Sequence, residues 1–167
     1  MAADAAPVAY VGLGANLGDA AATVDAAVHA LEALPETSLL RRSARYRTPA
    51  WGRTDQPDFV NAVVALRTSL PPAALLQALL AIERRFGRDR DAEHGRWGPR
   101  RLDLDLLLYG DERLHAPGLT LPHPHLHERA FVLVPLAEIA PDAVVPGHGR
   151  VADLRGAVDA AGVEAIP

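Results

Sequence analysis

The sequence predicts an α+β fold of ferredoxin-like character: an antiparallel sheet with helices packed on one face. Three observations predict it. Apolar patterns follow one another in the order strand, helix, strand, strand, helix, strand, the order of a two-layer sandwich. From Leu102 onward apolar and acidic residues alternate with period two, whereas the stretches 19–34 and 71–86 carry helical spacing. The chain of 167 residues, 49% apolar and 23% charged, has ordinary globular composition and length for one substantial core. A single domain over 1–167 is expected, with its core at about 8–141 and a covering helix at about 151–162.

Each element has a local reason. Val8 to Leu13 is a short apolar run and reads as a strand. It opens into a glycine-rich turn holding Gly12, Gly14, Asn16, Gly18 and Asp19. The spacing is not the dinucleotide fingerprint, and no acid follows about 20 residues on. A tight turn fits better, with Asp19 at the helix start, where its charge complements the dipole. Ser38 to Arg47 reads as a second strand and Phe59 to Arg67 as a third, joined by the turn-rich stretch 48–58. Pro71 or Pro72 opens a helix in which Leu75, Leu76, Leu79, Ile82, Glu83 and Phe86 share a face, and Gly87 ends it. Val132 to Ile139 reads as a core helix stopped before Pro141.

Composition narrows the function. A net charge of −4 argues against a general nucleic-acid or membrane surface. With no cysteine there are no disulfides and no thiolate metal sites. All 17 basic residues are arginine, which excludes a Walker-type loop for want of its lysine. The N-terminal residues lack the basic and apolar regions of a signal peptide, and no apolar run reaches 18 residues, so a cytoplasmic protein is expected.

The chemistry concentrates between residues 84 and 108. Asp103 and Asp105 share one face of the Leu102 strand, their Cα atoms about 6.6 Å apart. Two carboxylates so placed can hold one hard cation or a two-metal pair, and oxygen-only ligation favours Mg²⁺. The bland alternative is a solvated acidic strand face. Seven arginines lie in the adjoining span: Arg84, Arg85, Arg88, Arg90, Arg96, Arg100 and Arg101. Guanidinium groups bind phosphate oxygens in bidentate fashion, so cations beside the carboxylates point to one polyphosphate spanning both. With Gly87, Gly95, Trp97, Gly98 and Pro99, the segment reads as a flap over a ligand rather than a salt-bridged connector. Asn61 interrupts an apolar strand. It is either a satisfied structural amide or one matching the edge of a heterocycle held between aromatics such as Phe59 and Phe131. His123, His125 and His127 invite a zinc reading, but their spacing around a proline fits no structural zinc pattern.

The stretch from Arg96 to Leu107, with its Trp-Gly-Pro-Arg-Arg-Leu-Asp-Leu-Asp core, resembles the signature of the 6-hydroxymethyl-7,8-dihydropterin pyrophosphokinase family of folate biosynthesis. The glycine-rich turn, the segment from Thr48 to Asn61, the Gly-Arg-Asp-Arg run at 87–90 and the stretch from Pro122 to Phe131 are similar to that family as well. The resemblance implies pyrophosphate transfer from ATP to the pterin hydroxymethyl group with release of AMP, assisted by two Mg²⁺ ions. It implies Asp103 and Asp105 as metal ligands, with Arg88, Arg90 and Arg100 offsetting phosphoryl charge. Thr48, Pro49, Trp51, Phe59, Asn61 and Phe131 would meet the pterin. Glu83, Arg90, Trp97, Arg100, Thr120, His123 and Arg129 would face the nucleotide. Phe59 stands where some relatives carry tyrosine, and Leu80 where relatives carry a polar residue. The partners implied are the two small-molecule substrates alone, on a monomer. Two rival readings share some of these residues. A two-metal nucleotidyltransferase would release pyrophosphate, and a non-catalytic ferredoxin-like binding module would need neither aspartate.

Overall fold

A computed structural model describes residues 6–49, 57–87 and 102–166. Ten strands and four helices run in the order β1 (Val8–Ala15), α1 (Ala20–Glu32), β2 (Thr37–Arg42), β3 (Tyr46–Thr48), β4 (Phe59–Thr68), α2 (Pro72–Arg85), β5 (Asp103–Tyr109), β6 (Leu114–Ala116), β7 (Leu119–Leu121), α3 (Ala130–Ile139), β8 (Val144–Val145), β9 (Gly149–Arg150), α4 (Val151–Ala157) and β10 (Glu164–Ala165). A 3₁₀ turn at Leu126–Glu128 precedes α3. The main sheet is antiparallel in the order β10-β3-β4-β1-β5, and β2 also pairs with β4. The ferredoxin-like arrangement is therefore present, with the first strand central and the aspartate strand beside it.

The local reasons hold at the helix starts. Asp19 caps α1, its Oδ1 accepting the Ala22 N–H at 3.1 Å. This satisfies a donor with no partner inside the helix. Pro72 sits in the first turn of α2, where its missing N–H costs nothing.

Helices on one face alone do not describe the sheet. One face, with Val11, Leu13, Val64, Leu66, Leu104 and Leu106, is covered by α1 and α2 through Val24, Val28, Leu31, Leu75, Leu79 and Ile82. The opposite face carries Val63, Ala65, Leu107 and Leu108 under α3 and Val151 of α4. The reason is that β4 is apolar at both parities from Ala62 to Leu66, the mark of a strand buried on both sides. Each large side chain so buried contributes about 1.5–3 kcal/mol.

Two expected elements differ in extent. The stretch 38–47 is two strands, because β2 leaves the ladder at Arg42 and β3 resumes at Tyr46. Ser43 bridges the gap: its N–H donates to the Val63 carbonyl at 2.9 Å and its Oγ accepts the Val63 N–H at 3.0 Å. The covering helix ends at Ala157 rather than near residue 162. The chain then returns as β10 to pair with β3, Glu164 opposite Arg47 and Ala165 opposite Tyr46. Among the described residues no helix is long and apolar enough to cross a membrane.

Candidate active site

The site begins with the two glycines of the central strand. Gly14 of β1 lies opposite Asn61 of β4 on one side and Asp103 of β5 on the other, and Tyr46 of β3 lies opposite Asn61. One residue pair along, Gly12 lies between Val63 and Asp105. Cross-strand partners point to the same side of a sheet, so Tyr46, Asn61 and Asp103 share the face over which α3 packs. Two strand spacings separate Asn61 from Asp103, about 10 Å between Cα atoms. Where β1 would normally raise a side chain between them, it has none. A Cβ on Gly14 would stand 2.9 Å from Asn61 Oδ1. The result is a trough with a backbone floor, an amide on one wall and carboxylates on the other.

The amide wall is pre-arranged. Asn61, 7% exposed, donates from Nδ2 to Thr48 Oγ1 at 2.8 Å. That bond orients Oδ1 over Gly14. Phe59 faces Thr48 across the β3–β4 pair. Asn61 is thus satisfied on its donor side and also aimed into the trough, so the two sequence readings are not exclusive. Pro49 follows Thr48 and lies against Gly162 of the tail, where an added Cβ would be 3.4 Å from Pro49 Cδ. Asn16, in the turn after β1, donates to the Pro57 carbonyl at 3.4 Å.

The carboxylate wall stands on an edge strand. Asp103 and Asp105 are both half-buried and flank Leu104, whose N–H donates to Glu83 Oε2 at 2.7 Å. Glu83 is 2% exposed, which rules out the surface ion pair that its arginine neighbours suggest. From the last turn of α2 its carboxylate holds the backbone between the two aspartates. Beside this edge lies a cleft of about 280 Å³ lined by Leu76, Asp105, Thr120, His123 and Pro124, with Leu104 and Leu106 behind. Glu83 does not line it. The cleft brings together three residues that the sequence assigns to nucleotide and metal: Asp105, Thr120 and His123.

His123 is held as a neutral ring. Burial first, then the Arg129 charge and the neighbouring His125, push its pKa down to about 4, against a smaller opposing pull from Asp103. Its Nδ1 accepts the His125 N–H at 3.2 Å, so the neutral ring carries its proton on Nε2 and offers a hydrogen-bond donor. Its own N–H donates to the Leu107 carbonyl at 3.0 Å, tying it to the aspartate strand. Arg129 stands at the N-terminal boundary of α3, without a side-chain capping bond, and its guanidinium lies over the Phe131 ring, 5.6 Å from its centroid, within cation–π range.

Beyond the His125 N–H and its ring set edge-on to His123 at 6.4 Å, neither His125 nor His127 lines the cleft. Both lie beside Glu128, at 3.6 and 3.4 Å, and the His127 ring stacks on His148 with centroids 3.9 Å apart. Stacked rings aim their in-plane nitrogens past one another. Among the described residues no cluster of three or more histidines and acids can hold a metal ion. Trp51, Arg88, Arg90, Trp97 and Arg100 lie outside the described residues. Sequence reasoning passed over Gly12 and Gly14 as floor residues. The signal in the sequence was two glycines at alternate positions of one strand, and it takes on meaning only once that strand is placed between β4 and β5.

The chain is similar to known proteins over most of its length. The family model described as 7,8-dihydro-6-hydroxymethylpterin-pyrophosphokinase (HPPK) matches residues 10–141. A 2-amino-4-hydroxy-6-hydroxymethyldihydropteridine pyrophosphokinase of Methylorubrum extorquens is 49% identical over 158 residues, 95% of this chain and 98% of that protein. The Pseudomonas aeruginosa protein of the same name is 48% identical over 158 residues, 95% of this chain and 96% of the relative. The crystal structure of wild-type Plasmodium falciparum HPPK-DHPS superposes with a TM-score of 0.67 at 15% identity. It covers 90% of this chain, which spans only 41% of that longer chain, so that likeness speaks for the fold alone. The matched span from Tyr10 to Pro141, together with relatives nearly half identical over almost their whole length, places this chain in the 7,8-dihydro-6-hydroxymethylpterin-pyrophosphokinase family.

Proposed function

We propose that this chain transfers the pyrophosphoryl group of ATP to the hydroxymethyl oxygen of 6-hydroxymethyl-7,8-dihydropterin, in folate biosynthesis. The observation that carries the reading is the row Asn61–Gly14–Asp103, an amide and a carboxylate facing each other across a floor without side chains. A flat heterocycle fits such a floor. Its polar edge would meet Asn61, and its hydroxymethyl arm would extend toward Asp103 and Asp105. The nucleotide would occupy the cleft along the outer edge of β5, with its phosphates toward Asp105 and the Nε2–H of His123. The substrate oxygen attacks the β-phosphorus, the bond from that phosphorus to the bridging oxygen of the α-phosphate breaks, and AMP leaves. The hydroxyl proton passes to solvent.

Two carboxylates with oxygen donors only, and no third protein ligand among the described residues, suit Mg²⁺ ions that complete their shells from phosphates and water. Asp103 and Asp105 would hold two such ions, which supply charge neutralisation at the phosphate oxygens. Arg88, Arg90 and Arg100 would add cationic donors, and Trp97 would ride on the segment between them. Glu83 keeps the aspartate strand in place, Thr48 orients Asn61, and Arg129 steadies Phe131. The 167 residues would act as one pyrophosphokinase unit, a cytoplasmic monomer whose partners are its two substrates. Product analysis with ATP and the pterin tests the reading. AMP and a pyrophosphorylated pterin are expected, whereas pyrophosphate release would turn the assignment to a nucleotidyltransferase and ADP to a simple kinase.

A further inference from the structure

We infer that Glu138 and Tyr46 form a latch that positions the amide wall of the trough and the helix bearing Phe131 relative to each other. The inference rests on the pterin reading above.

The Glu138 carboxylate, near the end of α3, reaches the break between β2 and β3. Both oxygens accept the Ala44 N–H at 3.1 Å, and Oε1 accepts the Tyr46 O–H at 2.6 Å. The phenol is a committed donor: burial, the bond to Glu138 and the negative charge of Glu138 push its pKa up to about 12. Arg41 adds a third tie, donating from Nη1 to the Ile139 carbonyl at 3.2 Å. Three groups from 41–46 thus hold the last turn of α3.

Placement makes this more than helix docking. Tyr46 is the cross-strand partner of Asn61, and Thr48, two residues on, takes the Asn61 side-chain bond. On α3, Phe131 and Glu138 are seven residues apart, so they lie on one stripe of the helix. Fixing Glu138 therefore sets the rotation of α3 about its axis, and with it the direction of Phe131. Pro135 lies between them and removes the bond that would return to the Phe131 carbonyl. The first turn is left less constrained by its own helix and more dependent on the tie at the far end. No group of the latch touches the cleft assigned to the nucleotide.

The test compares Tyr46→Phe, Glu138→Ala and Glu138→Gln in the full chain. Tyr46→Phe removes one hydroxyl and keeps the ring. It should raise KM for the pterin about fivefold, the counterpart of one ordinary hydrogen bond, with KM for ATP unchanged. Glu138→Ala should do at least as much, and Glu138→Gln, which keeps a carbonyl acceptor, should recover part of the loss. The side-chain amide resonances of Asn61, followed by NMR without substrate, should shift in the first two variants. Pterin KM within twofold of the parent in both, or ATP and pterin constants rising together with a fall in Tm, would overturn the latch. If the parent chain itself proves inactive, the pterin reading fails, and unmoved Asn61 resonances would then dispose of the latch separately.

Discussion

Gly14→Ala puts a single methyl group on the floor of the trough. Its carbon would stand 2.9 Å from Asn61 Oδ1, closer than side-chain carbons approach in folded proteins. The strand cannot yield, because β1 is paired on both sides, so Asn61 must. Turning it away breaks the 2.8 Å bond to Thr48. That loss costs about 1 kcal/mol of stability, and a substrate edge left without its amide costs about 1–2 kcal/mol of binding, roughly a 5- to 30-fold loss of pterin affinity. Gly12→Ala is the matched control. Its Cβ would meet the Leu107 side chain, Cδ1 nearest at 3.5 Å, an ordinary van der Waals distance, and it faces Val63 rather than Asn61. A change in affinity of under about threefold is expected there. Calorimetry with the pterin, in the presence of Mg²⁺ and a non-hydrolysable ATP analogue, reads both. Equal pterin affinity for Gly14→Ala and the parent would refute the trough, as would equal losses at Gly12 and Gly14.

Asp103→Ala or Asp105→Ala should abolish turnover while Tm stays within a few degrees, since neither carboxylate belongs to the apolar side of β5; activity at saturating Mg²⁺ in either variant would sink the metal assignment. Asn61→Leu should weaken pterin binding far more than ATP binding, and unchanged pterin affinity would return the residue to a structural part. Glu83→Leu strips the acceptor from the Leu104 N–H in a buried setting. A loss of about 1–3 kcal/mol in urea unfolding is expected, and an unmoved midpoint would show that the edge strand does not depend on it. His123 should titrate near 4 by NMR rather than near 6.5. Because its folded pKa is lowered, the unfolded chain takes up the proton first. The ring's contribution to stability is full above about 6.5 and declines as pH falls toward 4, and an NMR midpoint near 6.5 would refute the buried neutral ring.

Most of the sheet order was legible because the strongest signals are local. The apolar runs of β1 and β4, the helical spacing of α2 and the alternation of β5 each follow from neighbours in sequence. The aspartates were legible for the same reason, as were Asn61 and Thr48 once a family motif linked them. What escaped depends on pairing between distant segments. The break at 43–45 exists because Ser43 bonds Val63, a partner 20 residues away. The hairpin of β6 and β7 is too short, at three residues each, to show a period. The second helical layer was readable in principle: an unbroken apolar run from Ala62 to Leu66 leaves no face for water. The role of Gly14 could emerge only after the strands on both sides of it were known.

The irregularity in β5 has a consequence for how this strand can change. Tyr10 pairs with Leu108 and Val11 with Leu106, so Leu107 is an extra residue in the ladder. Before it, Asp103 and Asp105 keep one phase against Gly14 and Gly12. After it the phase reverses, so Leu107 and Leu108 both anchor under α3, while Tyr109 turns to the opposite face and donates its hydroxyl to the Leu70 carbonyl at 2.6 Å. The strand therefore behaves as two segments joined by a slip joint. Repacking of the leucine end need not propagate into the carboxylates. Deletion of Leu107, by contrast, would restore strict alternation with every other pair kept, Leu108 opposite Tyr10 and Tyr109 opposite Ala9, so the phenol would still reach Leu70 while the α3 face lost the leucine that packs against Gly12.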